Sequence, residues 1–130
     1  MADSADKKKI LVVEDEAVIS NLCLRVLTDE GFEVDIAVNG RAAEGMIGKG
    51  RYDLCLIDVR TPVMNGKELF QYISDKYPEL TGRVIFTTGD LIGGDTQGFL
   101  KGTGRPSLPK PFTPGELRTV VREALRQIGR

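Results

Sequence analysis

The chain has 130 residues, enough for one domain with its own core, and its 41% hydrophobic and 28% charged content is that of an ordinary globular protein. A net charge of -1 gives no electrostatic footprint for a nucleic-acid backbone, and no apolar run approaches the roughly 18 residues that a membrane span needs. Histidine is absent, which excludes His-based triads, His metal ligands and a phosphohistidine on this chain; without a signal-peptide core, cytoplasmic residence is the expectation.

Residues 1–8 are small and charged and read as a disordered lead-in, leaving 9–129 as the folded domain. The apolar run 10–13 is a first strand that ends in Glu14, Asp15 and Glu16. Ile19, Leu22, Cys23, Val26 and Leu27 recur at helical spacing, and Gly31 is placed to stop that helix. Alternation over 32–38 predicts a less buried second strand, Asn39-Gly40 a turn, and 41–49 a short helix limited by Gly45, Gly48 and Gly50. Apolar residues over 52–57 lead into Asp58, and Pro62 and Asn65-Gly66 end this third, centrally buried strand. Leu69, Phe70, Ile73 and Tyr77 mark a helix closed by Pro78, and 83–86 a fourth strand before Thr87 and Thr88.

Six glycines between 89 and 104 weaken the pattern, since each costs a helix up to about 1 kcal/mol relative to alanine. Any helix there, near 95–101, is expected to be short and loosely held. Pro106, Pro109 and Pro111 confine a fifth strand at 107–109 to a sheet edge, with Lys110 at its end. Thr113-Pro114-Gly115-Glu116 reads as a capping box, and Leu117, Val120, Val121, Ala124, Leu125 and Ile128 stripe the helix that it opens. Cys23 and Cys55 lie inside apolar patterns and read as buried, unpaired thiols.

Five strands alternating with five helices predict an α/β, doubly wound (βα)5 three-layer sandwich around a parallel sheet of order 2-1-3-4-5. That order sets Glu14 and Asp15 beside Asp58 at the rim where strands end. Three neighbouring carboxylates repel one another, so at neutral pH they take up a proton or capture a cation. An all-oxygen set without soft ligands suits Mg2+ (or Mn2+). Lys110 adds a fixed positive charge, Thr88 a hydroxyl donor, and Gly89 room for an incoming group. These parts meet the needs of in-line phosphoryl transfer onto Asp58 as nucleophile. Singly, each has a structural reading: Asp15 as a helix cap, Asp58 as a turn residue, Thr88 as a strand end, Lys110 as a solvated charge. Their order at the ends of alternate strands favours the joint reading.

Residues 10–15 (Ile-Leu-Val-Val-Glu-Asp), Leu56-Ile57-Asp58 with Pro62 and Gly66, 84–89 (Val-Ile-Phe-Thr-Thr-Gly) and Lys110-Pro111-Phe112 together resemble the response-regulator receiver domain of two-component signal transduction. The resemblance runs from about Lys9 to Ile128. Softer features at 102–106 are similar to receivers attached to hybrid histidine kinases, so either a hybrid kinase or a single-domain regulator is a source. The resemblance implies that Asp58 accepts a phosphoryl group from a histidine kinase or histidine phosphotransfer protein. It also implies that Glu14, Asp15, Asp58 and the Arg60 backbone carbonyl hold Mg2+, that Thr88 and Lys110 meet the phosphoryl oxygens, and that the bond before Pro111 is cis. Receivers often carry an aromatic switch residue three positions before the lysine; here Ser107 stands there, so the signal passes through the segment 89–104 or is weak. Output through the fourth helix, fifth strand and fifth helix, and a monomer or weak phosphorylation-dependent dimer, are the matching expectations, with no direct nucleic-acid contact.

Arg60 and Asp90, two residues beyond Asp58 and Thr88, flank the mouth of the site and are expected to modulate the lifetime of an acyl phosphate by pairing across it. Three functions compete. A phosphorylation-independent pseudo-receiver would need no intact acidic set, and an aspartyl-phosphate hydrolase would need a second aspartate after Asp58, where Arg60 stands. A flavin site would be repelled by Glu14-Asp15-Glu16.

Overall fold

A computed structural model describes residues 7–89 and 94–129. Its elements run in the order β1 (Lys9–Val13), α1 (Ala17–Asp29), β2 (Glu33–Ala37), α2 (Gly40–Lys49), β3 (Leu54–Asp58), α3 (Gly66–Lys76), a 3-10 helix (Pro78–Arg83), β4 (Val84–Thr88), α4 (Gly94–Thr103), β5 (Ser107–Pro109) and α5 (Pro114–Ile128). The five strands form one parallel sheet of order β2-β1-β3-β4-β5, as expected. Register aligns the strand ends: Val13 pairs with both Ala37 and Ile57, Asp58 with Thr87, and Thr88 with Pro109. Residues just past these pairs therefore leave the sheet at one rim.

Side chains alternate across the sheet, so each strand feeds two cores. Leu11, Val13, Cys55, Ile57, Val84 and Phe86 meet α2 and α3 through Ala43, Ile47, Leu69 and Ile73. On the other face Ile10, Val12, Leu54, Leu56, Ile85 and Leu108 meet α1 and α5 through Cys23, Val26, Leu27, Leu117 and Val121. Every residue of β3 and β4 is buried, which explains why these strands read as unbroken apolar runs. Burying each such Leu, Ile or Phe contributes about 1.5–3 kcal/mol. Both cysteines are buried and free.

Several boundaries differ from those expected. Strand β3 begins at Leu54 instead of Tyr52, because Tyr52 turns its hydroxyl to Asp35 at 2.7 Å. Strand β4 runs to Thr88 and starts one residue late, Arg83 being drawn off to donate to the Asp53 carbonyl at 3.1 Å. Gly45 and Gly48 do not limit α2, which passes through both and ends only before Gly50. Asn39 is its N-cap, accepting from the Ala42 amide, and Asn65 caps α3 in a full capping box with Glu68. The capping box at Thr113 and Glu116 is present, and Gly31, at φ +95°, sits just past the end of α1 in the left-handed conformation. Helix α4 is longer than expected, yet Leu100 is its only buried residue. Phe99 packs edge-to-face on Phe86 at 5.2 Å and on Phe70 at 6.2 Å, giving α4 an aromatic anchor. The proposed lead-in, 1–8, lies outside the described residues up to position 6.

Two glycines close the loops around the site. A β-carbon at Gly66 would lie 2.8 Å from the Asp58 carbonyl oxygen, and one at Gly40 would run into the Met64 carbonyl. Gly98, inside α4, faces open space. In urea unfolding, Gly40→Ala and Gly66→Ala should therefore each lose about 1–3 kcal/mol. Gly98→Ala should gain up to about 1 kcal/mol. A loss at Gly98 equal to that at Gly66 would contradict this packing.

Candidate functional site

The rim is built from four pieces of chain. Past Val13, the Glu14 amide still bonds the Ala37 carbonyl at 3.0 Å, which keeps the backbone strand-like and turns the Glu14 side chain inward, 3% exposed. Asp15 stays exposed and does not cap α1, whose N-cap is Glu16 with no side-chain cap bond. Asp58 ends β3 at 4% exposure. The loop after it folds back: the Arg60 amide donates to Asp58 Oδ1 at 3.1 Å, and the Thr61 amide to the Asp58 carbonyl at 3.3 Å. Thr61, itself buried, donates its hydroxyl to the Met64 carbonyl at 3.0 Å. Val63 is held at φ +70°, a conformation a β-branched residue rarely adopts. Thr88 is fully buried at the end of β4.

Lys110 completes the group. Its amide bonds the Thr88 carbonyl at 2.9 Å, which extends the β4–β5 pairing by one step, and the Lys110–Pro111 bond is cis. The ammonium Nζ lies 2.8 Å from Glu14 Oε1, 3.0 Å from Asp58 Oδ2 and 3.7 Å from Glu16 Oε1, with the lysine side chain 12% exposed. Ligand oxygens of Glu14, Asp15 and Asp58 all lie within 4.8 Å of one another. Three carboxylates, two of them buried, outnumber the one ammonium among them, and such an all-oxygen set with surplus negative charge is a fit for a hard divalent cation.

Burial raises the Glu14 pKa above its ordinary 4.5, partly offset by its bonds to Lys110 and to the Glu16 amide. For Lys110, burial acts downward, but hydrogen bonds to Glu14 and Asp58 and their charges outweigh it, so its pKa rises above 10.5. The ammonium is thus held charged between two acids.

Glu14, Asp15, Asp58, Thr88 and Lys110 therefore gather at one rim, as the sequence indicates. Arg60 borders the site and a cleft of about 280 Å³ shared with Thr61, Lys67, Asp95 and Phe99. Asp90, its expected partner, lies outside the described residues. Ser107 is exposed on β5, opposite Phe86 in register, and no aromatic takes its place on that strand. Sequence reasoning missed two residues. Glu16 contacts Lys110, and the only signal was its place in the acidic run; Thr61 braces the loop, with nothing in Thr61-Pro62 to separate it from an ordinary turn.

The response regulator receiver domain family matches residues 10–122. The transcriptional regulatory protein ResD of Bacillus subtilis is 34% identical over 125 residues, covering 96% of this chain and 51% of ResD. This chain spans about half the length of the curated relatives it matches. A CheY-like receiver domain protein from Methanospirillum hungatei superposes with TM-score 0.85 at 28% identity, over 94% of this chain and 96% of its own. The receiver domain of a sensor histidine kinase from Pseudomonas aeruginosa PAO1, described with magnesium coordinated in its active-site cleft, gives TM-score 0.82 at 27% identity over 92% and 98% of the two chains.

Glu14, with its raised pKa, makes folding stability depend on pH. Between 4.5 and its folded value the folded chain binds more protons than the unfolded chain, so stability falls as pH rises through that window. Lys110 acts elsewhere, its contribution being lost only above 10.5. With a chelator present, the unfolding free energy of Glu14→Gln minus that of the unsubstituted chain should climb as pH rises from 4.5. A flat difference would contradict the cause assigned.

Proposed function

The chain belongs to the response regulator receiver domain family, and on that premise we propose that it takes a phosphoryl group from a phosphohistidine onto Asp58, in a Mg2+-dependent reaction, and signals through a partner surface. The observation that carries this reading is the Lys110 ammonium seated between Glu14 at 2.8 Å and Asp58 at 3.0 Å. A lysine drawn inward from a distant strand onto two buried acids is a costly arrangement for stability alone. It is well suited to a reaction in which one of those acids acquires negative phosphoryl oxygens.

An Asp58 carboxylate oxygen attacks phosphorus in line with the leaving nitrogen. The O–P bond forms as the P–N bond breaks, and the imidazole departs with the electron pair and takes a proton on the donor. Lys110 and the Thr88 hydroxyl donate to the phosphoryl oxygens. Glu14, Asp15, Asp58 and the Arg60 backbone carbonyl would hold Mg2+ (or Mn2+), whose charge offsets those oxygens when it is bound. Arg60 and Asp90 modulate hydrolysis of the product.

Because this stretch has no histidine, the donor imidazole lies outside it, on a histidine kinase or a histidine phosphotransfer protein. A cleft of about 370 Å³ beside Lys110, lined by Val18, Ile19, Leu22, Pro111 and Phe112, offers that donor apolar footing next to the site. Chemistry at Asp58 is self-catalysed, without turnover of an external substrate. No described helix is long and apolar enough to cross a membrane; residence is proposed as cytoplasmic, as a monomer or a weak phosphorylation-dependent dimer, without direct nucleic-acid contact by this stretch. Output runs through α4, β5 and α5.

Incubation with acetyl phosphate and Mg2+ should add one phosphoryl mass, mapped to Asp58 and absent from Asp58→Asn. Lys110→Ala should form the adduct about 10²-fold more slowly. No adduct would indicate a pseudo-receiver, and turnover of a small phosphoester a hydrolase. A second expected outcome concerns α4, anchored mainly by Leu100 and Phe99. On binding a beryllofluoride phosphate mimic, its amide hydrogen exchange should change while that of α5 does not. Identical protection in both states would remove α4 from the signalling route.

A further inference from the structure

We infer that Glu16 is the alternative seat of the Lys110 ammonium: it keeps the amine at the rim when a divalent cation takes the Glu14 and Asp58 carboxylates, and so sets how tightly that cation binds. This rests on reading the Glu14, Asp15 and Asp58 cluster as a cation site.

Lys110 takes one oxygen of each of two carboxylates that a cation would need, while Glu14 Oε2 and Asp58 Oδ1 accept from the Glu16 and Arg60 amides. Its ammonium contacts Glu14 at 2.8 Å and Asp58 at 3.0 Å, and both belong to the three-carboxylate cluster. A cation bound to both carboxylates would stand a few ångströms from the ammonium and repel it, which pushes the amine out of its place between Glu14 and Asp58. Solvent is one destination, and Glu16 is the nearer one. Its Oε1 lies 3.7 Å from Nζ, already on the open side of the site with its side chain 63% exposed. Of the ion pairs Lys110 makes with described residues, those with Glu14, Asp58 and Glu16 are the three formed, and only Glu16 lies outside the oxygen cluster.

The position of Glu16 strengthens the case. It is the N-cap residue of α1 and makes no side-chain cap bond, so its carboxylate is not held by the first turn of the helix. Its backbone amide instead donates to Glu14 Oε2 at 3.1 Å, tying the backbone of one acid to the side chain of the other. The carboxylate of Glu16 is thereby placed over Lys110 and left uncommitted to the helix. Glu16 is a positioning residue, acting on the cation only through the lysine.

A double-mutant cycle on the whole unphosphorylated chain tests this, with Mg2+ alone as probe and isothermal titration calorimetry as readout. Glu16→Gln should weaken Mg2+ binding about two- to fivefold, the scale of one exposed ion pair. Lys110→Gln should tighten it, and in that background Glu16→Gln should have no effect. A Glu16→Gln loss of the same size in both backgrounds would mean a through-space charge effect and overturn the inference, as would no loss in the native background. Mg2+ binding that is absent altogether would overturn the cation reading with it. If Lys110→Gln does not fold, NMR of the Lys110 ammonium decides: its Nζ resonance should persist in Mg2+ for the native chain and vanish into solvent exchange for Glu16→Gln. Equal behaviour would refute the role.

Discussion

Two acids, Glu14 and Asp58, are buried side by side and need a cation between them; the structure is arranged around meeting that need. Removing a carboxylate from water costs several kcal/mol, and a second one nearby adds repulsion. Lys110 answers both, arriving from a strand that is 52 positions away from Asp58 in sequence. Apolar residues in these places would stabilise a fold as well or better. An ion cluster kept at the end of an otherwise apolar sheet therefore points to chemistry, and its cost is borne by the two cores beneath it.

Parallel register makes the cluster possible. Because β1, β3, β4 and β5 end within a step or so of one another, the last residues of β3 and β4 and the first residues past β1 and β5 come to one rim without any long loop to hold them. The Lys110 amide continues the ladder onto the Thr88 carbonyl, and the Glu14 amide does the same onto Ala37, so both side chains are aimed by backbone bonds. The β3–α3 loop is fixed from the other side by close packing at Gly66 and Gly40, where no larger residue fits. Precision at the site thus comes from the ladder and from two missing β-carbons, while the flexible side chains only complete it.

That division explains what the sequence disclosed. Strands β3 and β4 were legible because burial on both faces writes itself as a continuous apolar run, and β5 because prolines permit nothing but an edge. Glycines misled at α2, where Gly45 and Gly48 sit inside the helix: neither takes a positive φ, and the amphipathic packing of Ala43 and Ile47 outweighs their propensity. Asn39 and Asn65 were visible as punctuation, but whether an asparagine turns a chain or caps a helix depends on the path the next residues take in space. Glu14, Asp58, Thr88 and Lys110 could be named because each stands at or next to a strand end, and Asp15 because it follows Glu14; Glu16 could not, since its role depends on where Lys110 points, which no local pattern encodes.

Packed contacts link the Asp58 end of the sheet to α4. Residue 107, where an aromatic would bridge β5 and α4, is an exposed serine, so β5 offers little to push against. The aromatic contact has moved one strand inward: Phe86, two residues before Thr88, packs on Phe99 of α4 and on Phe70 of α3. A displacement of the end of β4 would press on α4 through that ring pair, because close-packed aromatic edges resist compression. Helix α4 buries only Leu100 besides, and it carries glycines at 94, 98 and 102, so it is the element least able to resist such a push. A stiff sheet end joined by one aromatic contact to a weakly held helix is a sufficient physical basis for converting a local change of charge into a change of surface.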